Sequence, residues 1–185
     1  RIGLIHTLAI RRDSAAVPSL VDLTLNPAPA TAAAAIGALG EVGGPEALRA
    51  LAALAKDAPE ALRSAVCAAR LRSAEAFMDE GQAAAAVPIL QELLQDEYAR
   101  QIRAAVFAAY ATASGAEGEA AVLQALTGTE KDRQWAAVRA LYTSASPTLL
   151  EAIVARLHQL PPVLQEPIIE LLAQRQVAAA LPVIA

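Results

Sequence analysis

The stretch from Thr31 to Leu48 most constrains what this chain can fold into. A small-residue run, Thr31-Ala-Ala-Ala-Ala-Ile36-Gly-Ala-Leu39, leads into Gly40-Glu-Val-Gly-Gly44, and Pro45 follows at once. Alanine and leucine favour helix. Glycine accepts the left-handed backbone that ends one, and proline suits a helix's first turn. The segment reads as a helix over Thr31–Leu39, a stop over Gly40–Gly44, and a second helix to about Lys56.

The unit recurs. First-helix markers Val17, Leu48, Val87, Val122, Leu150 and Leu181 are spaced by 31, 39, 35, 28 and 31 residues. Second-helix markers Thr31, Arg63, Arg103, Arg133 and Gln165 step by 32, 40, 30 and 32. Both series lengthen at the same place, which puts an insertion near Phe77. Two helices per period of about 33 residues mean an α-solenoid. The expected fold is an all-α superhelix of about five two-helix repeats, one array over residues 1–185.

The remaining helices follow from the same pattern. Residues 1–11 read as a second helix whose first half is missing, with Ile2, Leu4, Ile5, Leu8 and Ile10 on its apolar side. Asp13 or Ser14 caps the next helix, which turns Val17, Leu20, Val21 and Leu25 inward. Further helices are expected over Glu60–Phe77, Ala83–Leu94, Tyr98–Ala113, Glu119–Leu126, Lys131–Thr143, Thr148–Leu160 and Val163–Gln174. A last one opens at Val177.

Three segments carry a family resemblance: Ala16-Val17-Pro18-Ser19-Leu20, Ala86-Val87-Pro88-Ile89-Leu90 and Ala180-Leu181-Pro182-Val183-Ile184. They resemble the first helix of bacterial HEAT repeats, of the armadillo type, especially the phycobilisome-lyase-like subgroup. Ala34-Ala35-Ile36-Gly37-Ala38-Leu39-Gly40, with Gly43-Gly44-Pro45-Glu46-Ala47-Leu48, resembles that subgroup's second helix and turn. The likeness is strongest over residues 13–71 and weakest over 115–176. It is specific for fold and nearly silent on function.

Composition narrows the function classes. Mean hydropathy is +0.39, yet the apolar runs Ala83–Leu90 and Val177–Ala185 are far below the roughly 18 residues of a membrane span. Net charge is −4, and neither half is cationic: residues 1–80 hold 8 basic and 9 acidic side chains, residues 81–185 hold 7 and 10. A phosphate-binding platform is not expected. A single cysteine, Cys67, allows no internal disulfide or cysteine metal cluster. His6 and His158 lie nearly five repeats apart without ligand spacing, and no cofactor or metal is expected. The balance favours a cytoplasmic setting. The start at Arg1 without methionine leaves room for an upstream segment, as expected of part of a longer protein.

Candidate binding residues lie on the second helices, which the resemblance places on the concave side of an array. Arg63, Arg103 and Arg133 recur at equivalent positions. They form either a basic stripe for an acidic peptide or a structural ladder in which Asp57 pairs with Arg63, and Asp96 or Glu97 with Arg103. The ladder is the preferred reading. Trp135 stands among Arg133, Gln134 and Arg139, and large aromatics are favoured interface anchors. Tyr110 and Tyr142 read as core residues with a hydroxyl at the edge, and Cys67 as a small core residue. The best cluster for a partner is Arg103, Arg133, Trp135 and Arg139.

No glycine-rich phosphate loop, nucleophile elbow or His-Glu-x-x-His motif is present. The sequence therefore points to a non-enzymatic scaffold that binds a protein or peptide. The alternatives are a subunit of a bilin-lyase-like enzyme or, further off, a HEAT-like nucleic-acid-binding or DNA glycosylase protein. Deoxyhypusine hydroxylase chemistry would need His-Glu pairs, whereas His6 precedes Thr7 and His158 precedes Gln159.

Overall fold

A computed structural model describes residues 2–143 and 145–180, with all their side chains except those of Arg100 and Gln101. Among the described residues the regular structure is entirely helical. The helices are α1 Ile2–Ile10, α2 Val17–Thr24, α3 Pro29–Val42, α4 Gly44–Asp57, α5 Glu60–Asp79, α6 Ala83–Gln95, α7 Arg103–Ala113, α8 Ala116–Thr127, α9 Lys131–Thr143, α10 Pro147–Val154 and α11 Pro162–Gln174. The fold is all-α, made of HEAT-like helical hairpins. The helix expected from Val177, with its marker Leu181, lies outside the described residues beyond a short 3-10 turn at Ala178–Ala180.

The chain divides into two compact units, residues 1–102 and 103–185. In the first, α1, α3 and α5 pack side by side as one layer, and α2, α4 and α6 pack against that layer. In the second, α7, α9 and α11 form the corresponding layer, and α8 packs against α7 and α9. Leu20, Ile36, Leu39 and Leu51 are fully buried in the first unit, and Leu126, Leu141, Leu164 and Ile168 in the second. Each such side chain contributes about 1.5–3 kcal/mol relative to exposure.

Local chemistry sets the helix ends. The Asp13 carboxylate accepts a hydrogen bond from the Ala15 N–H at 3.0 Å, heading a 3-10 turn that runs into α2. Ser146 does the same for Leu149 at the head of α10. Gly43, at φ +66°, separates α3 from α4.

Several expectations are corrected. Gly40 does not stop α3; the helix runs on to Val42 and Gly40 is buried inside it. A Cβ at Gly40 would lie 2.7 Å from the Ala69 carbonyl oxygen, so this glycine sets the close approach of α3 and α5. Gly118, expected in a loop, has the same role in the α7–α8 hairpin: its Cβ would lie 2.2 Å from the Ala111 carbonyl oxygen. Leu25 is not inward. It caps the C-terminus of α2 at 81% exposure, because the helix ends before it can turn that residue under. Ile2, Leu4 and Ile10 are also exposed, leaving Ile5 and Ala9 to pack on the neighbouring helix. The expected helix over Thr148–Leu160 breaks after Val154 and resumes as a 3-10 turn at Leu157–Gln159.

Candidate partner-binding face

The recurring arginine position resolves first. Arg63 is the fourth residue of α5. Its Nε donates to the Ala58 carbonyl at 3.1 Å, and its Nη1 donates to the Tyr98 hydroxyl at 3.1 Å. The guanidinium carbon also lies 4.8 Å from the Tyr98 ring centre, a cation–π distance. Asp57 is therefore not the partner of Arg63; the backbone of the turn and the ring of Tyr98 are.

The fourth residue repeats this bond in other second helices. Gln134 Nε2 in α9 donates to the Gly128 carbonyl at 2.7 Å, and Gln165 Nε2 in α11 donates to the Leu160 carbonyl at 2.9 Å. A turn carbonyl that helix geometry leaves without a partner is thus satisfied in three of the hairpins, those closed by α5, α9 and α11. The register position in α9 is Gln134, which is buried, and not Arg133, which is exposed. At Arg63, Gln134 and Gln165 the ladder is built on backbone carbonyls. The spacing of Gln134 and Gln165 was the signal for it, hidden because glutamine and arginine do one job there.

Arg133 is thereby freed from the ladder, but it does not join Trp135. Two residues apart on a helix means about 200° of rotation, so Arg133 lies on the far side of α9 from the indole. Trp135 shares a face with Arg139 one turn on and Tyr142 two turns on, by the i, i+4, i+7 rule. Lys131, one turn back, completes the stripe. All four are exposed, Trp135 at 46% and Tyr142 at 39%. The core expectation for Tyr142 is thus corrected. Its hydroxyl donates to the Pro167 carbonyl at 3.0 Å, and Arg175 donates to the Tyr142 carbonyl at 3.1 Å. Arg175 is not singled out by sequence, and Tyr142 is singled out there only as a core residue, although its helical spacing from Trp135 is readable.

Arg103 opens α7 and is half-buried. Tyr110, by contrast, is buried as expected, with its hydroxyl donating to the Glu117 carboxylate at 2.8 Å. The described ion pairs are Arg70 with Glu92 and Arg72 with Glu41, both in the first unit. Arg139 takes part in neither, and helical spacing puts it on the exposed Trp135 side of α9.

Cys67 sits at a recess of about 200 Å³, lined by Arg63, Val66, Asp96 and Tyr98. Burial, and the Asp96 carboxylate oxygen 3.4 Å from its Sγ, push the thiol up to about 12. It is a neutral thiol at physiological pH, the opposite of what a nucleophile needs. Among the described residues no group of three His, Cys, Asp or Glu side chains is arranged to hold a metal ion. No helix among them is long and apolar enough to cross a membrane.

Stacked helical hairpins with a repeated turn-capping residue define an α-repeat protein. In agreement, the family model for HEAT repeats matches residues 1–72. No curated protein and no solved structure gives a match. The matched stretch ends well before α9, so the Trp135 face lies outside it.

Proposed function

We propose that the chain is a non-enzymatic scaffold that binds a protein or peptide through its second helices. Residues 1–185 act as one repeat array within a longer protein, with a repeat pattern of the phycobilisome-lyase-like bacterial type. The binding face is led by the Trp135–Arg139 pair, with Arg103 as a further cation of the same second-helix layer, while Arg133 lies on the opposite side of α9 and stands outside it. HEAT repeats commonly serve as protein-interaction scaffolds. One observation carries the reading: a tryptophan at 46% exposure, in a chain with 3% aromatics, flanked along one helical stripe by Lys131, Arg139 and Tyr142.

The chemistry fits a peptide with an apolar anchor and a carboxylate. The indole offers rigid contact area at little entropic cost, and the guanidinium offers a two-pronged donor. The test is affinity capture from the source lysate with the wild-type chain and a Trp135→Ala/Arg139→Ala variant, read by mass spectrometry. A protein enriched by the wild type and lost with the variant supports this face. Capture unchanged by the variant moves the site elsewhere, and no enrichment by either bait removes the scaffold reading.

A further inference from the structure

The first unit ends in a 3-10 segment, Glu97–Ile102, that lies on α5. Bonds from i to i+3 have poorer geometry than those of an α-helix, and runs beyond three or four residues are uncommon. A run of six is held by its surroundings more than by its own backbone. The apolar part of those surroundings is thin here. Of Glu97, Tyr98, Ala99 and Ile102, only Ala99 is fully buried, and its side chain is a methyl group. Between the segment and α5 lies the recess of about 200 Å³, in place of the close-packed atoms that give an interior its dispersion contacts.

Polar pins hold the segment instead. Arg63 of α5 donates from Nη1 to the Tyr98 hydroxyl at 3.1 Å, and its guanidinium carbon lies 4.8 Å from the centre of that ring. The Cys67 thiol, one turn further along α5, donates to one oxygen of the Asp96 carboxylate at 3.4 Å. The other oxygen accepts from the Tyr98 N–H at 2.9 Å, which joins the two pins to each other. Two consecutive turns of α5 thus grip two residues of the segment and its lead-in.

Cys67 lies beneath this arrangement. It is buried, and Asp96, Glu97 and Tyr98 form the wall of the recess that covers it. The causes that keep its thiol neutral come in part from the same residues: burial first, then the charge of Asp96. Lifting the segment removes the cover and carries Asp96 away with it.

We infer that residues 96–102 are a strap that opens by local unfolding while α1 to α6 stay folded, and that its opening turns Cys67 from a covered side chain into an accessible thiol. Segments with few buried apolar contacts open at free energies well below that of global unfolding. Tyr98 is the latch of the strap, and what it gates is the single cysteine of the chain. The device lies wholly within the first unit and owes nothing to the α9 face.

The test is iodoacetamide labelling of the folded full chain, read by mass spectrometry at a series of urea concentrations below the unfolding transition. Wild type should label slowly, at a rate nearly flat in urea, because a local opening exposes little new surface. Tyr98→Phe should speed labelling, and Tyr98→Ala should speed it by about tenfold or more, through loss of the bond to a charged donor. The urea midpoint of each variant is measured alongside. Acceleration beyond what the fall in midpoint accounts for supports the strap. If Tyr98→Ala does not fold, Tyr98→Phe and the wild-type urea slope decide. A wild-type rate that climbs with urea as steeply as global unfolding overturns the inference, as do Tyr98 variants that label no faster than their midpoints require. Wild-type labelling at the rate of a free thiol overturns it too, since nothing would then cover Cys67.

Discussion

At the scale of the residue, the structure turns two polar signals into structural roles. The sequence pairs Arg63 with Asp57, because a turn aspartate before a helix arginine suggests an ion pair. The acceptor is the Ala58 carbonyl, which no side-chain pattern advertises. Arg63→Ala should lose about 1.5–3 kcal/mol, the range for a hydrogen bond from a charged donor. Gln134→Ala should lose about 1 kcal/mol through the Gly128 carbonyl. Urea denaturation checks both, and an Arg63→Ala midpoint equal to wild type would remove the capping role. Cys67 makes a prediction of the opposite kind. Its folded value of about 12 lies above the usual 9.0, so the neutral thiol favours the folded state below pH 9. That contribution is lost as pH rises from about 9 through about 12, because the unfolded thiol ionises first. Cys67→Ala should flatten this part of the alkaline stability curve, and the native thiol should resist iodoacetamide until denaturant is added. Rapid alkylation of the native chain would place Cys67 at a working site.

At the scale of the element, the helices were legible and their meeting points were not. Alternating small and large apolar residues mark every helix of α3 to α6, and Pro45 and Pro59 stand at or just before the heads of α4 and α5. Gly40 misled because glycine near a helix end has two uses, conformational and steric. Its φ is not positive; the absence of a Cβ is what matters, since the Ala69 carbonyl oxygen would lie 2.7 Å away. A one-dimensional pattern carries no sign of what lies opposite. Gly40→Ala should therefore destabilise by about 1–3 kcal/mol although alanine is the better helix former. Calorimetry gives the sign: a higher melting temperature would mean that propensity outweighs the clash. Leu25 was misread for a related reason. The helical period predicts an inward residue only while the helix lasts, and α2 ends at Thr24.

At the scale of the whole molecule, repetition made the architecture readable and also hid the candidate surface. The period fixes which helices lie side by side, and the HEAT match covers the stretch where that period is cleanest. The Trp135 stripe lies where the repeat is most worn, so no family pattern points to it; the sequence marks Trp135 and Arg139 as a lone large aromatic beside a cation, but groups them with Arg133 and reads Tyr142 as core, because neighbours in sequence are not neighbours on a helix face. Net charge bears on what such a chain can hold. At −4, with cations confined to local stripes, it lacks the continuous positive field that collects nucleic acid. Proteins that neutralise six to ten phosphates lose about 10³–10⁵ in affinity between 50 and 200 mM salt. We expect no saturable binding to a short DNA duplex at 50 mM salt. A salt-steep isotherm would show that the guanidiniums read phosphates, and would overturn the protein-partner reading. A partner held by Arg139 and the Trp135 indole would behave differently. Its affinity should fall only modestly between the same two salt concentrations, because apolar contact with the ring is not screened. Trp135→Ala should then weaken binding more than Arg139→Ala, with melting of both variants within about 1 kcal/mol of wild type. If Trp135→Ala melts much lower, the indole is holding the fold and the surface must be sought elsewhere.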